Sequence, residues 1–150
     1  MPSIWVDADA CPKAIRDIIC RAAIRTQTAA IFVSNHYVPL ESHPLIKRQH
    51  VEQGFDKADD EIAGQIQAQD LVVTQDIPLA DQAVTQGALA MSPRGDEFSP
   101  ETIKSRLNQR DFMETLRGAG MVTSGGPAAF NQSDKQRFAN ALDRWLNQNR

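Results

Sequence analysis

The apolar positions change period from one segment of the chain to the next, and that change predicts alternating strands and helices. Ser3-Ile4-Trp5-Val6 is a short β-rich run that stops at Asp7. Beyond it, Pro12 stands early in a helical pattern that puts Ile15, Ile18, Ile19, Ala22 and Ala23 on one face. Ala29-Ala30-Ile31-Phe32-Val33 is apolar without alternation, as in a parallel-sheet strand covered on both sides. A loop with Asn35, Pro39 and Pro44 follows, then a brief strand around Lys47 to Val51 and a helix from Ala58 to Ala68. Asp70-Leu71-Val72-Val73-Thr74 is the clearest strand. Gln75-Asp76 leads from it into a helix opening with Ile77-Pro78, where proline suits the first turn. Ala88-Leu89-Ala90-Met91 is the next short strand.

Strands alternating with helices of this length call for right-handed crossovers. The predicted fold class is therefore α/β, with a mostly parallel central sheet covered on both faces. Ser92-Pro93-Arg94-Gly95 interrupts the alternation, and Ser99-Pro100 opens a helix running toward Arg117. The stretch 118–132 carries no charge and is rich in glycine, so it reads as a loop. Ser133-Asp134-Lys135-Gln136 reads as a capping box that starts a last helix, ending near Asn147. One domain over 1–150 is expected, with a core over residues 1–93 and a helical extension over 94–150.

Composition narrows the classes without changing that picture. A chain of 150 residues can remove roughly 70% of its unfolded surface from water, so it needs no disulfide or structural metal to hold a core. No apolar run approaches the roughly 20 residues of a membrane span, and the N-terminus lacks the basic start and apolar stretch of a signal peptide. A cytoplasmic protein with no membrane partner is expected. Cys11 and Cys20 match neither a redox pair nor a zinc half-site, and both read as reduced thiols.

The net charge of −3 is unevenly spread: residues 1–93 carry 7 Lys and Arg against 12 Asp and Glu, whereas residues 94–150 carry 9 against 7. The acidic half cannot bind nucleic acid through charge alone. It can still belong to a metal-dependent enzyme acting on phosphates, because bound cations reverse the local field.

Ligands of an open parallel sheet bind at the carboxyl ends of its strands. Asp7 and Asp9 follow the first predicted strand, Asp76 follows the Val72-Val73-Thr74 strand, and Asp56, Asp59 and Asp60 begin the helix between them. Helical spacing gives Asp59 the face of Ile62, Ala63 and Ile66, and turns Asp60 toward Gly64 and Gln67. Asp7, Asp9, Asp59 and Asp76 therefore form the candidate metal site, with Asp60 and Asp81 behind it. Carboxylates crowded in this way repel one another, and a hard cation such as Mg²⁺ or Mn²⁺ relieves the repulsion through oxygen ligands. The competing account is that aspartates cap helix N-termini and oppose the helix dipole; it is the better one for Asp56, Asp60 and Asp17.

Three segments carry a family resemblance: Val6-Asp7-Ala8-Asp9-Ala10-Cys11-Pro12, Gly54-Phe55-Asp56-Lys57-Ala58-Asp59, and Asp70 through Ala80. With Pro93-Arg94-Gly95, Asn108-Gln109-Arg110-Asp111 and Gly125-Gly126-Pro127, they make the chain similar to the YaiI/YqxD family of uncharacterised bacterial proteins over nearly its whole length. The resemblance implies a three-layer PIN-like domain, the architecture of many metal-dependent nucleases, with a C-terminal helical addition. It implies Asp7, Asp59 and Asp76 as the catalytic acids and Asp9 as an additional neighbour. The Asp-Ala-Asp-Ala-Cys-Pro turn and the long tail depart from the usual PIN pattern.

The corresponding activity is a hydrolase: one or two Mg²⁺ or Mn²⁺ ions activate water against a phosphodiester, with RNA as one candidate substrate. Lys13, Asn35, Thr74, Arg94 and Arg110 are candidates for contacting phosphate or orienting water. Each has a structural alternative: solvated surface for Lys13, a turn for Asn35, strand composition for Thr74, and helix-surface ion pairing for the two arginines. His36, His43 and His50 lack ligand spacing and receive no role. Two other classes compete. Asp-x-Asp after a first strand also serves haloacid-dehalogenase-type phosphatases, but no suitable lysine follows a later strand. A non-catalytic module binding a nucleotide, RNA or protein would keep the acids for a structural ion. Oligomeric state is not encoded in any of these patterns.

Overall fold

The computed structural model describes residues 2–51, 57–105 and 131–148, with the backbone alone at 57–60. Along the chain run β1 (Ile4–Asp7), a 3-10 turn (Ala8–Ala10), α1 (Lys13–Thr26), β2 (Ala30–Ser34), β3 (Ile46–His50) and α2 (Lys57–Gln65). They continue with β4 (Leu71–Val73), α3 (Ile77–Thr85), β5 (Leu89–Met91) and β6 (Glu97–Phe98). A helical stretch, α4, covers 100–105 at the limit of the described residues, and α5 is Gln132–Gln148. The continuation toward Arg117 and the glycine-rich stretch up to residue 130 lie outside the described residues.

The six strands form one sheet in the order β3-β2-β1-β4-β5-β6, parallel throughout except for the antiparallel β5–β6 pair. Ile4 is in register with Ala30 on one side and Leu71 on the other. The chain winds outward through β1, β2 and β3, then returns to place β4 on the far side of β1. The direction of winding thus reverses between β1 and β4, which is where this architecture opens a crevice at the carboxyl edge.

Period-two alternation divides the apolar residues between two layers. Ile4, Val6, Phe32, Leu71, Val73 and Met91 pack with α1 and α5, whereas Trp5, Ile31, Val33, Val72 and Ala90 pack with α2 and α3. The structure is thus a three-layer α/β sandwich. Phe138, Leu142, Trp145 and Leu146 of α5 are buried in the first layer, and burial of such side chains stabilises by about 1.5–3 kcal/mol each. The C-terminal helix is therefore part of the core beside α1.

Two local features differ from the sequence expectation. The cap of α5 lies two residues earlier than Ser133: Asn131 Oδ1 accepts from Asp134 N–H, and Asp134 Oδ2 accepts from Asn131 N–H. The reciprocal pair satisfies two backbone donors of the first turn, which a serine at 133 would leave unpaired. The second is β6, which the Pro93-Arg94-Gly95 break concealed. Gly95 turns the chain with φ +90°, and a Cβ there would stand 2.6 Å from the Arg137 carbonyl carbon. Both the left-handed backbone and the approach to α5 exclude a side chain.

Candidate functional site

The alternation that sends Trp5 to the α2/α3 layer sends Asp7 there too, and Thr74 follows Val72 to the same side. Both residues end up at the carboxyl edge, across the winding reversal from one another. Asp7 is 8% exposed and Thr74 is 1% exposed. Thr74 Oγ1 donates to Asp7 Oδ2 at 3.1 Å and accepts from Asp76 N–H at 3.0 Å. Asp76 in turn caps α3, its Oδ1 accepting from Leu79 N–H at 3.0 Å, with Pro78 supplying the proline of the first turn. One hydroxyl therefore holds both the Asp7 carboxylate and the Asp76 backbone, and β1, β4 and α3 meet on it.

Burial pushes the Asp7 carboxyl above the ordinary carboxylate range; the Thr74 hydrogen bond partly opposes this, and the charges of Asp76 and Asp9 add to the rise. A bound cation would favour the charged carboxylate against both the burial and the lesser repulsion of the neighbouring acids. Asp7 Oδ1 and Asp76 Oδ2 have no hydrogen-bond partner among the described residues. Hard oxygen donors, one left open on each acid, suit Mg²⁺ or Mn²⁺ in chemistry. Among the described residues no trio of His, Cys, Asp or Glu side chains stands close enough to hold a metal ion. The Asp59 and Asp60 side chains lie outside the described residues. The α2 backbone places position 59 one turn before Ile62, on the stripe of Ile62 and Ile66 that packs on the sheet.

Asp9 is turned toward β2. Its two oxygens accept from Asn35 N–H at 2.8 Å and pair with His36 Nδ1 at 3.1 Å, so it anchors the loop that leaves β2. Asn35 Oδ1 is buried with no partner. Gln75 Nε2 donates to the Ala10 carbonyl and ties the 3-10 turn to the end of β4. Lys13 is at the same edge, but its ammonium pairs with Asp17 in solvent at 2.9 Å. Asp81 is half-buried one turn into α3 and makes no hydrogen bond or ion pair among the described residues.

Arg94 follows β5 at the carboxyl edge, and its Nη1 donates to buried Asp134 at 2.8 Å, joining the β5–β6 turn to the start of α5. Lys104 is exposed on α4, while Arg110 and the Gly125-Gly126-Pro127 loop lie outside the described residues. Two participants were not singled out in the sequence. The bonding of His36 was concealed because nothing in the spacing of residues 9 and 36 reveals that β1 and β2 are neighbours. Asp70, read simply as the start of a strand, is buried at the opposite edge and accepts from Ser3 N–H, Gln67 N–H and Trp5 Nε1. The thiols stay apart from this chemistry: burial pushes Cys11 up to about 12, with Arg16 opposing, and raises Cys20 as well.

Among the described residues no helix is long and apolar enough to cross a membrane. No solved structure matches the chain. It is 56% identical over 143 residues to a UPF0178 protein of Vibrio vulnificus, covering 95% of each chain. It is 54% identical over 146 residues to a UPF0178 protein of Marinobacter nauticus, covering 97% of each. A UPF0178 protein of Pectobacterium carotovorum is 50% identical over 145 residues, 97% of this chain and 96% of that one. The profile of the uncharacterised YaiI/YqxD family matches residues 5–148, and the chain belongs to that family.

Proposed function

We propose that the protein is a divalent-metal-dependent nuclease of PIN-like type, in which Asp7, Asp59 and Asp76 hold Mg²⁺ or Mn²⁺ and the substrate is a phosphodiester. The observation that carries this reading is the Thr74 hydroxyl joining Asp7 to the α3 cap at the winding reversal of the sheet. In this role Asp7 and Asp76 are held before any ligand arrives, so little ordering entropy remains to be lost on binding. When bound, the cation supplies a Lewis acid that activates water and offsets charge on the departing oxygen. Thr74 holds the Asp7 carboxylate and Leu79 N–H that of Asp76, leaving one oxygen of each open, and the start of α3 adds its partial positive charge beside them. The buried, unpartnered Asn35 amide oxygen is a further polar group at this edge for the substrate or a water.

The phosphatase alternative requires Asp9 to serve the same ligand as Asp7, and its oxygens are engaged by Asn35 and His36 instead. A binding module without catalysis would keep the cation and lack turnover. The deciding experiment measures thermal unfolding with Mn²⁺ or Mg²⁺ and cleavage of labelled RNA and DNA. At a cation concentration about 100 times its Kd, the wild-type protein gains about 2.7 kcal/mol. Asp7→Asn, Asp59→Asn and Asp76→Asn each remove both that gain and the cleavage. A wild-type melting curve indifferent to both cations sinks the metal site, and a cation shift without cleavage of either substrate leaves the binding module.

A further inference from the structure

All three histidines of the chain and its one tyrosine fall within residues 36–50, a segment that begins beside Asp9 and ends with the edge strand β3. Tyr37 is 80% exposed, against 43% for Leu89, the other large apolar side chain exposed among the described residues. It is nevertheless held in place. The Arg48 guanidinium lies over the ring, 4.6 Å from its centroid, and the same guanidinium donates to the Val38 carbonyl. The residues just before Tyr37 are fixed by Asp9, through Asn35 N–H and His36 Nδ1. β3 adds exposed Lys47 and His50; His50 shares the face of Arg48 and stands at the carboxyl end of the strand, while Lys47 faces the other layer.

Stability does not account for this arrangement. A ring so exposed contributes almost nothing to the core, and an exposed cation–π pair contributes about 0.5–1 kcal/mol before the entropy of fixing two side chains is subtracted. The arrangement is what a stacking platform requires: one ring face backed by a guanidinium, the other open, on a loop tied to the acidic edge. An aromatic face accepts any base, and neighbouring cations follow the phosphates. The base must be unpaired, because a base within a duplex has both faces covered by its neighbours.

We infer that Tyr37, backed by Arg48, is a stacking subsite for one unpaired nucleobase of a nucleic-acid strand that continues past His50 toward the carboxylate edge. The inference rests on the phosphodiesterase reading for the role of that edge, and binding can be measured apart from cleavage. Fluorescein-labelled oligo-uridylate and oligo-thymidylate are titrated with the full-length protein in EDTA, and anisotropy is read at fixed salt. Tyr37→Ala weakens binding about five- to a hundredfold, whereas Tyr37→Phe and Tyr37→Trp stay within about threefold of wild type. Tyr37 is exposed, so Tyr37→Ala keeps the wild-type melting temperature. Arg48→Ala weakens binding and adds flexibility at Val38. Irradiating a bound strand that carries 5-iodouracil cross-links it to Tyr37, located by mass spectrometry. Equal binding by wild type and Tyr37→Ala overturns the subsite, as do absence of single-strand binding and cross-links confined to other residues. Tyr37-dependent binding with no cleavage in any cation retains the subsite and removes the nuclease; cleavage indifferent to Tyr37 does the reverse.

Discussion

Asp70 and Asp7 lie at opposite edges of the same pair of central strands, and burial hardly distinguishes them, at 6% and 8% exposed. Their surroundings do. Asp70 accepts from two backbone N–H groups and the Trp5 indole, closing the amino edge between β1 and β4. Asp7 receives one hydroxyl, shares its neighbourhood with two other acids, and has its carboxyl pushed upward. A buried carboxylate supplied with donors fastens the fold. One buried with a single donor, and with other acids near it, costs stability in its charged form until a ligand arrives, and perturbed acids of that kind gather at functional sites.

The largest test of that contrast is Asp70→Ala. It leaves Ser3 N–H, Gln67 N–H and the Trp5 indole without their acceptor, and urea denaturation should show a loss of about 3 kcal/mol or more. Asp7→Asn should act in the opposite direction in the cation-free protein, raising its denaturation midpoint at neutral pH. The sign follows from linkage. With its folded carboxyl raised, Asp7 binds protons more readily in the folded than in the unfolded state, so stability falls as pH rises from the ordinary carboxylate range through the raised value. The contribution of Asp7 to that fall should vanish in Asp7→Asn, as read from melting temperatures in EDTA across the acidic range. Equal destabilisation by Asp70→Ala and Asp7→Asn would end the distinction between the two edges. The smallest effect is expected from Lys13→Ala, whose exposed pair with Asp17 makes less than about 0.5 kcal/mol in a denaturation midpoint. If the same variant lost cleavage several-fold, Lys13 would belong with the phosphate contacts.

Much of the α/β alternation was legible because it rests on local periodicity. The segment Asp70 to Thr74 contains β4, Ile77-Pro78 opens α3, and the unbroken apolar run near Ile31 lies in a strand covered on both faces. The two-residue β6 was not legible, being too short to show a period, and its pairing with Ala90 and Met91 depends on the turn at Gly95. The cap of α5 was displaced because Asn131 and Ser133 are both competent caps by residue type, and only the three-dimensional position of Asp134, held also by Arg94, selects between them.

The sequence by itself determined that acids follow β1 and β4, because a carboxylate directly after an apolar run marks a strand end wherever that strand lies in the sheet. It could not assign those acids their different surroundings. Thr74 reaches Asp7 only because β4 crosses to the far side of β1, and Asp9 turns to Asn35 and His36 only because β2 occupies the near side. Strand order is a long-range property, set by how crossovers bury two helical layers at once, and no local spacing encodes it. The tertiary structure therefore decided which aspartate became a fastener and which was left buried beside other acids with one oxygen open.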